Sequence, residues 1–478
     1  MSVIESISVI FPQVKRPTVK KVSFKTKLKW TLIVLISFFV LSLVPLFGVS
    51  QSSYSQFQYF SLILGASFGY LLTLGIGPIV TASIVLQLLV GSGILKFDLT
   101  SEAGKKKFQS YQKVFSIAFI VIEALIYVLL GAVPAANYYN PATHVFKSFA
   151  TGATVESGFV ALSIAQHSLL QFLVILQLCV GGFIVMYLDE LMTSWGFGSG
   201  ISLFIAAGIS QQIMIRAFAW WSITGIAGVS TGQYAPGAVL ALFQAFQAGD
   251  SASALNYLLQ ILATIVVFVV AVYAQAMKIE IPLSFERVRG YGIRWPLNFL
   301  YTSNIPVILT AALFANIQVI ASLTKSSGIA STISSFFNNP GNIQTLFETF
   351  SWAMLGSIIA YIVLMVVFST LFSLLWVNTS QLDPKSQAKQ IMASGLQVPG
   401  FRKDQRVLER LLSRYIWPLS FMGGIAIGLL AALADITNAL SRGTGILLTV
   451  MIIYQFYESI VKEHLMDMNP AFRKFVKA

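Results

Sequence analysis

The chain has 478 residues, of which 56% are hydrophobic and only 10% charged, with a formal net charge of +13 at pH 7; a soluble globular protein carries about 25% charged residues. So few charged groups cannot cover the surfaces of separate soluble domains, which excludes an ordinary soluble enzyme and leaves a multi-span membrane protein. The single cysteine, Cys179, excludes an intrachain disulfide and cysteine-rich metal chemistry, and His144, His167 and His464 lie outside the long apolar runs. Neither a metal site nor a cofactor is expected.

Residues 1–29 form a basic cytoplasmic segment, with seven Lys/Arg between Lys15 and Lys29. The apolar run behind it continues to Leu46 without an A-x-A-like exit, so it reads as a first span rather than a cleavable signal peptide. About 20 apolar residues cross the hydrocarbon at roughly 1.5 Å per residue. Ten runs reach or approach that length, at 30–48, 69–90, 114–134, 168–188, 201–221, 255–276, 304–323, 351–377, 415–434 and 444–461. Another apolar stretch, Phe57 to Ala66, is too short to span and is fenced by Ser/Gln-rich 50–56 and by Gly65 and Gly69. It fits a re-entrant half-helix.

The fold class expected is therefore an all-α polytopic membrane protein of ten transmembrane helices. Spans one to five fill 30–221, an external loop covers 222–254, and spans six to ten fill 255–461 with cytoplasmic loops at about 278–303 and 378–414; a cytoplasmic tail, 462–478, closes the chain. With an even number of spans both ends share one side of the membrane. That side holds 27 of the 31 basic residues, leaving only Lys147, Arg216, Lys325 and Arg442 opposite, so the positive-inside rule makes the termini cytoplasmic.

Span two opens Gly75-Ile76-Gly77-Pro78-Ile79-Val80-Thr81-Ala82, and span seven opens Asn304-Ile305-Pro306-Val307-Ile308-Leu309-Thr310-Ala311. Span five opens Gly198-Ser199-Gly200-Ile201 and span ten Gly443-Thr444-Gly445-Ile446. The two matched pairs, in the same order, point to two related five-span halves; the alternative is that Gly and Pro before an apolar helix are common membrane punctuation. Five is odd, so the second half enters from the opposite side and the halves are inverted about an axis in the membrane plane.

An inverted repeat puts its working site between the halves near mid-membrane, on helices interrupted by Gly or Pro. Ile76 and Val80 are four apart, as are Ile201 and Ile205, so each pair shares a helical face; Ile308 and Leu448 are the second-half candidates. Together they suit an aliphatic constriction that excludes water and ions by dewetting, and singly each reads equally as lipid or helix packing. Glu123 is the ionisable residue well inside a span, where a charge costs about 2.5 to 3.5 kcal/mol, so it faces protein or stays protonated. It is a gate or relay residue, or a structural hydrogen bond between helices. Thr81, Gln87 and Asn316 are the polar candidates on other spans, and no further carboxylate is expected at depth.

Arg287, Arg289 and Arg294 follow span six, while Arg402, Arg406, Arg410 and Arg414 run at four-residue spacing into span nine. Anionic headgroups account for such a stripe, as does a large anionic partner such as ribosomal RNA. Catalytic motifs are missing: there is no HExxH and no Walker-type loop, and Gly196-Phe197-Gly198-Ser199-Gly200 lacks the order and the histidine of a serine protease. The chain is not expected to be an enzyme.

Six motifs now carry a resemblance: Leu74-Gly75-Ile76-Gly77-Pro78-Ile79-Val80-Thr81-Ala82, Tyr187-Leu188-Asp189-Glu190 with Gly198-Ser199-Gly200-Ile201, Glu280-Ile281-Pro282-Leu283, Ser303-Asn304-Ile305-Pro306, Leu382-Asp383-Pro384-Lys385 with Ala388-Lys389-Gln390, and Gly443-Thr444-Gly445. In that order and spacing the chain resembles the SecY family, the central subunit of the Sec protein translocation channel, in its archaeal and eukaryotic form. The resemblance implies an hourglass pore between the halves, closed by a ring of Ile76, Val80, Ile201, Ile205, Ile308 and Leu448. It implies a plug helix at about 54–67, with Phe60, Ile63 and Leu64 on it, and a lateral gate bridged by Thr81, Glu123 and Asn316 where spans two and three meet seven and eight. Arg287 and Arg402 match loop arginines that engage the ribosome. The implied partners are the gamma (SecE) and beta subunits, the ribosome, signal sequences and nascent polypeptides, and membrane lipids; the implied location is the cell membrane. An ion- or proton-coupled transporter of a small solute is the competing reading, favoured by the inverted repeat and the buried carboxylate.

Overall fold

The computed structural model describes residues 14, 15, 17, 22–49, 69–91, 94–95, 102–129, 133–141, 145–147, 159–222, 225–226, 234–285, 292–302, 305–323, 351–380, 382–393, 396–397, 404–436, 439–440 and 443–468. Ten of its helices carry the ten apolar runs. In chain order these are α1 (Phe24–Ser42), α2 (Gly77–Gly91), α3 (Glu102–Leu129), α4 (Ile164–Trp195) and α5 (Gly200–Phe218). After a short helix α6 (Ala238–Ala248) come α7 (Ser251–Ala276), α8 (Ile305–Leu323), α9 (Trp352–Thr379), the short α10 (Pro384–Ala393), α11 (Gln405–Ile436) and α12 (Gly443–Met468). Seven of them are long and apolar enough to cross a membrane by length and composition, while the apolar parts of α2 and α8 are shorter. The plug candidates Phe60, Ile63 and Leu64 lie outside the described residues.

Helix bounds depart from the apolar runs where charge or backbone chemistry intervenes. α3 starts a dozen residues before its run and α11 ten before, because Lys, Gln, Glu and Arg support helix as well as apolar residues do and only the lipid-facing part is apolar. α2 starts later than its run: Gly69 and Gly75 both have positive φ, 85° and 52°, so 69–76 turns instead of spiralling, and Pro78 sits in the first helical turn where its missing N–H costs nothing. His167, expected outside a span, lies in the first turn of α4, which the Ser163/Gln166 capping box starts before the apolar run begins.

Three small sheets accompany the helices among the described residues. On one, β1 (Tyr138–Asn140) pairs antiparallel with β2 (Val145–Lys147) and β3 (Val160–Ala161). After the two-residue strands β4 (Trp221–Ser222) and β5 (Gly225–Ile226), the loop behind α7 forms a hairpin of β6 (Lys278–Phe285) and β7 (Gly292–Asn298), extended by β8 (Leu396–Gln397). This hairpin was not legible in the sequence. Ile281 and Leu297 from it pack with Val377, Ala388, Ile391, Leu408, Leu412, Ile416 and Leu419 in a second apolar core, which steadies the extension of α11.

The main core joins residues from both halves, from Val34 and Phe38 on α1 to Met451 and Ile452 on α12. α9 and α11 approach closely: a Cβ on Gly424 would sit 2.9 Å from the Thr370 Cα, and one on Gly428 2.9 Å from the Val366 Cα. Small residues at that spacing let membrane helices pack backbone to backbone. Outward, α7 presents Leu255, Leu259, Leu262, Ile265, Val266 and Val269 about half exposed. Such a face is stable only against lipid or another apolar surface.

Candidate functional site

Ile76 precedes α2, and its carbonyl accepts the first helical bonds from the N–H groups of Ile79 and Val80, both at 3.1 Å. That geometry stacks Ile76 and Val80 one turn apart. Across from them stand Ile205 of α5, Ile308 of α8 and Leu448 of α12, and with Ala311 and Ala312 these side chains enclose one cavity of about 10 Å³. A water needs about that much space together with two or more polar partners. The seven aliphatic side chains offer none, so the cavity is a dry constriction. Five of the six ring candidates therefore converge. Ile201 does not line the cavity; it sits one turn before Ile205, partly buried against the main core. Ala311 and Ala312 were missed, although they stand three and four residues beyond Ile308 on the same helical face.

The helices carrying Ile205 and Leu448 are started in the same way. The Asp189 carboxylate, in the last two turns of α4, accepts from the Ile201 N–H at 3.0 Å, and a Cβ on Gly200 would lie 2.7 Å from the Asp189 Cα, which is why glycine stands there. Asp435 at the end of α11 accepts from the Thr444 N–H at 2.9 Å and from its hydroxyl at 3.0 Å. A carboxylate at a helix N-terminus satisfies its orphan N–H groups and complements its dipole. Asp435 corrects the expectation that Glu123 is the lone buried carboxylate: it is buried too, lying at the last turn of α11 just past the apolar run.

Beside the constriction runs the seam where α2 packs on α8 and α9. The Thr81 hydroxyl donates to the Gly77 carbonyl at 2.9 Å and accepts from Asn316 Nδ2 of α8 at 3.2 Å. Glu123 of α3 is buried, and its carboxyl has the Thr81 side chain as hydrogen-bond partner. The three polar residues named from the sequence thus form one cluster joining α2, α3 and α8. Interhelical bonds of this type are worth about 0.6 to 2 kcal/mol in membranes.

At the far end of α11, Leu408, Leu412, Ile416 and Leu419 turn inward while Arg406, Arg410 and Arg414 are exposed on the opposite face, so the expected basic stripe exists on a folded helix. Arg294 on β7 is exposed and pairs with Glu280 on β6 at 3.0 Å. Arg287 and Arg402 lie outside the described residues.

A mostly helical, multi-pass membrane protein with a small aliphatic cavity lined from four helices, and a polar cluster beside it, has the layout of a protein-conducting channel. The sequence pattern of the SecY family matches residues 71–457, and the chain belongs to that family. It is 40% identical over 488 residues to the protein translocase subunit SecY of Methanothermobacter thermautotrophicus, covering 99% of this chain and 98% of the relative. To that of Pyrococcus furiosus it is also 40% identical, covering 98% and 97%. Among solved structures, one described as a protein-conducting channel superposes with a TM-score of 0.76 at 35% identity, covering 97% of this chain and 98% of the other. Sec61 in the canine ribosome-channel complex from the endoplasmic reticulum superposes with a TM-score of 0.73 at 35% identity over the same shares.

Proposed function

We propose that the chain is the pore-forming subunit of a Sec translocation channel: unfolded polypeptides thread the waist at Ile76, Val80, Ile205, Ile308 and Leu448, and apolar segments leave sideways through the seam at Thr81, Glu123 and Asn316. The observation that carries this reading is the convergence of aliphatic side chains from α2, α5, α8 and α12 on one dry cavity. A translocating chain presents every side-chain type, so a selective polar site would hold some of them back; an aliphatic collar yields to each and closes behind it. The same cavity disfavours a small-solute transporter, which needs convergent polar groups at its binding site. Lateral exit follows transfer free energy, since a sufficiently apolar segment is more stable in lipid than in the waist.

The two inverted halves, 30–221 and 255–461, are supported by the matched carboxylate caps of α5 and α12. Ile201 completes the ring one turn from Ile205 in this reading, and the plug at about 54–67, with Phe60, Ile63 and Leu64, closes it from outside. The distribution of basic residues supports cytoplasmic termini and puts the Arg406, Arg410 and Arg414 face in the cytoplasm, beside the loops holding Arg287 and Arg402. That face suits phosphate contacts with ribosomal RNA. The gamma (SecE) and beta subunits of the family complete the assembly in the cell membrane. The test is translocation: vesicles containing the purified channel and its partner subunits should render a secretory precursor resistant to added protease, and a precursor that stays fully digestible contradicts the proposal.

A further inference from the structure

Asp435 does more than start a helix. Its Oδ1 caps α12 through Thr444, and its Oδ2 accepts the Tyr361 hydroxyl of α9 at 2.7 Å. Tyr361 and Asp435 are both buried, so this carboxylate ties two other helices together inside an apolar core. Both helices matter to the proposed function. α9 walls the seam, packing on α2, and the Tyr361 ring meets the Phe314 ring of α8 edge-on with centroids 6.2 Å apart. Four residues along α12 from Thr444, on the same helical face, stands Leu448 of the constriction.

An ionisable group inside a membrane protein is expensive and needs a reason beyond packing. A helix cap alone does not supply it, because Ser, Thr or Asn caps as well. The second oxygen, turned to the seam helix, does. The close approach of α9 and α11 at Gly424 and Gly428 brings the Tyr361 hydroxyl within reach of Asp435.

We propose that Asp435 is a positioning residue that couples the lateral seam to the constriction: when a signal sequence displaces α9, the Tyr361–Asp435–Thr444 bridge carries α12 with it and draws Leu448 out of the waist. This rests on the channel reading above and adds to it a route by which seam opening and pore opening become one event. α2 and α8 each carry residues of both sites, Val80 beside Thr81 and Ile308 with Asn316, and so move with the seam; the bridge extends the coupling to α12. It runs through three hydrogen bonds that single-atom changes can cut.

The test uses the full chain with its co-purifying subunits in planar bilayers, probed with a synthetic signal peptide bearing a polyleucine core. Tyr361→Phe removes only the hydroxyl and keeps the ring against Phe314. The expected result is an unchanged resting conductance, unchanged peptide binding by fluorescence, and a peptide-evoked conductance lowered about 3- to 30-fold, the factor corresponding to one interhelical hydrogen bond. Asp435→Asn, which still caps Thr444 and can donate from Nδ2 to the Tyr361 oxygen, should lose less than Tyr361→Phe, and the double variant should lose no more than Tyr361→Phe alone. Peptide-evoked conductance equal to wild type in Tyr361→Phe overturns the proposal. So does a lower melting temperature with an unchanged ratio of evoked to resting conductance, or losses that add in the double variant. A wild-type chain that binds the peptide and conducts nothing overturns the channel reading itself.

Discussion

Asn316 and Thr81 stand 235 residues apart in sequence and 3.2 Å apart in space, the amide of one donating to the hydroxyl of the other across the seam between α2 and α8. Buried Glu123 completes the cluster from α3. A contact worth about 0.6 to 2 kcal/mol holds a seam closed and still yields to an entering apolar segment. Replacing Asn316 by Leu or Glu123 by Gln should therefore shift, by about 3- to 30-fold in the insertion equilibrium, how apolar a segment must be to insert. Insertion scanned over a series of Leu/Ala segments measures the threshold, and one superimposable on wild type removes this cluster from the gate.

Polar substitutions in the waist should let ions through. With Ile76, Val80, Ile205, Ile308 and Leu448 all changed to Ser, the constriction acquires hydrogen-bonding partners for water and its dewetting barrier falls. Single-channel recording at rest should show a leak that the wild type lacks, larger than for Ile76→Ser alone. Resting conductance that stays at the wild-type level places the seal elsewhere.

Both sites were legible from sequence to the extent that their residues break a local rule. Glu123 stands out as a charge within an apolar run, and Ile76, Val80 and Ile205 stand out through four-residue spacing beside Gly and Pro. Ala311 and Ala312 break no rule, because alanine is common on any membrane helix. Asp435 escaped because the apolar run ends one residue before it, whereas α11 continues to Ile436. The β6/β7 hairpin escaped for a different reason: its loop mixes charge and apolar residues without the clean alternation of a half-buried strand, and its apolar partners lie far along the chain on α9, α10 and α11.

Gly428 should tolerate no larger side chain. A Cβ there meets the Val366 Cα at 2.9 Å and the Met365 carbonyl at 3.0 Å, backbone atoms that cannot rotate away. Gly428→Val should destabilise the α9–α11 pair by about 1 to 3 kcal/mol, as overpacking does, and Gly356→Ala, where the added carbon meets nothing within 4 Å, should not. Thermal unfolding in detergent compares the two, and equal melting temperatures contradict the close approach.

Asp250 gives the start of α7 a dependence on pH. Its carboxylate accepts from Ser253, with the N–H at 3.2 Å, and from the Tyr234 hydroxyl at 3.0 Å, and these bonds hold it below the ordinary aspartate range. A lowered carboxyl contributes stability above its unfolded pKa, about 3.9, and loses it as pH falls through the lower folded value. Between pH 6 and pH 3 the wild type should lose more thermal stability than Asp250→Asn, whose side chain does not titrate. Parallel curves contradict the assignment.

The account depends on the polypeptide passing between the facing aliphatic side chains. A secretory nascent chain stalled on the ribosome, with a photoreactive group placed at Ile205 or, as control, at Leu259 on the exposed face of α7, tests this most directly. Strong crosslinking to the nascent chain from Ile205 and little from Leu259 is the predicted result. Crosslinking from Leu259 equal to or above that from Ile205 contradicts it.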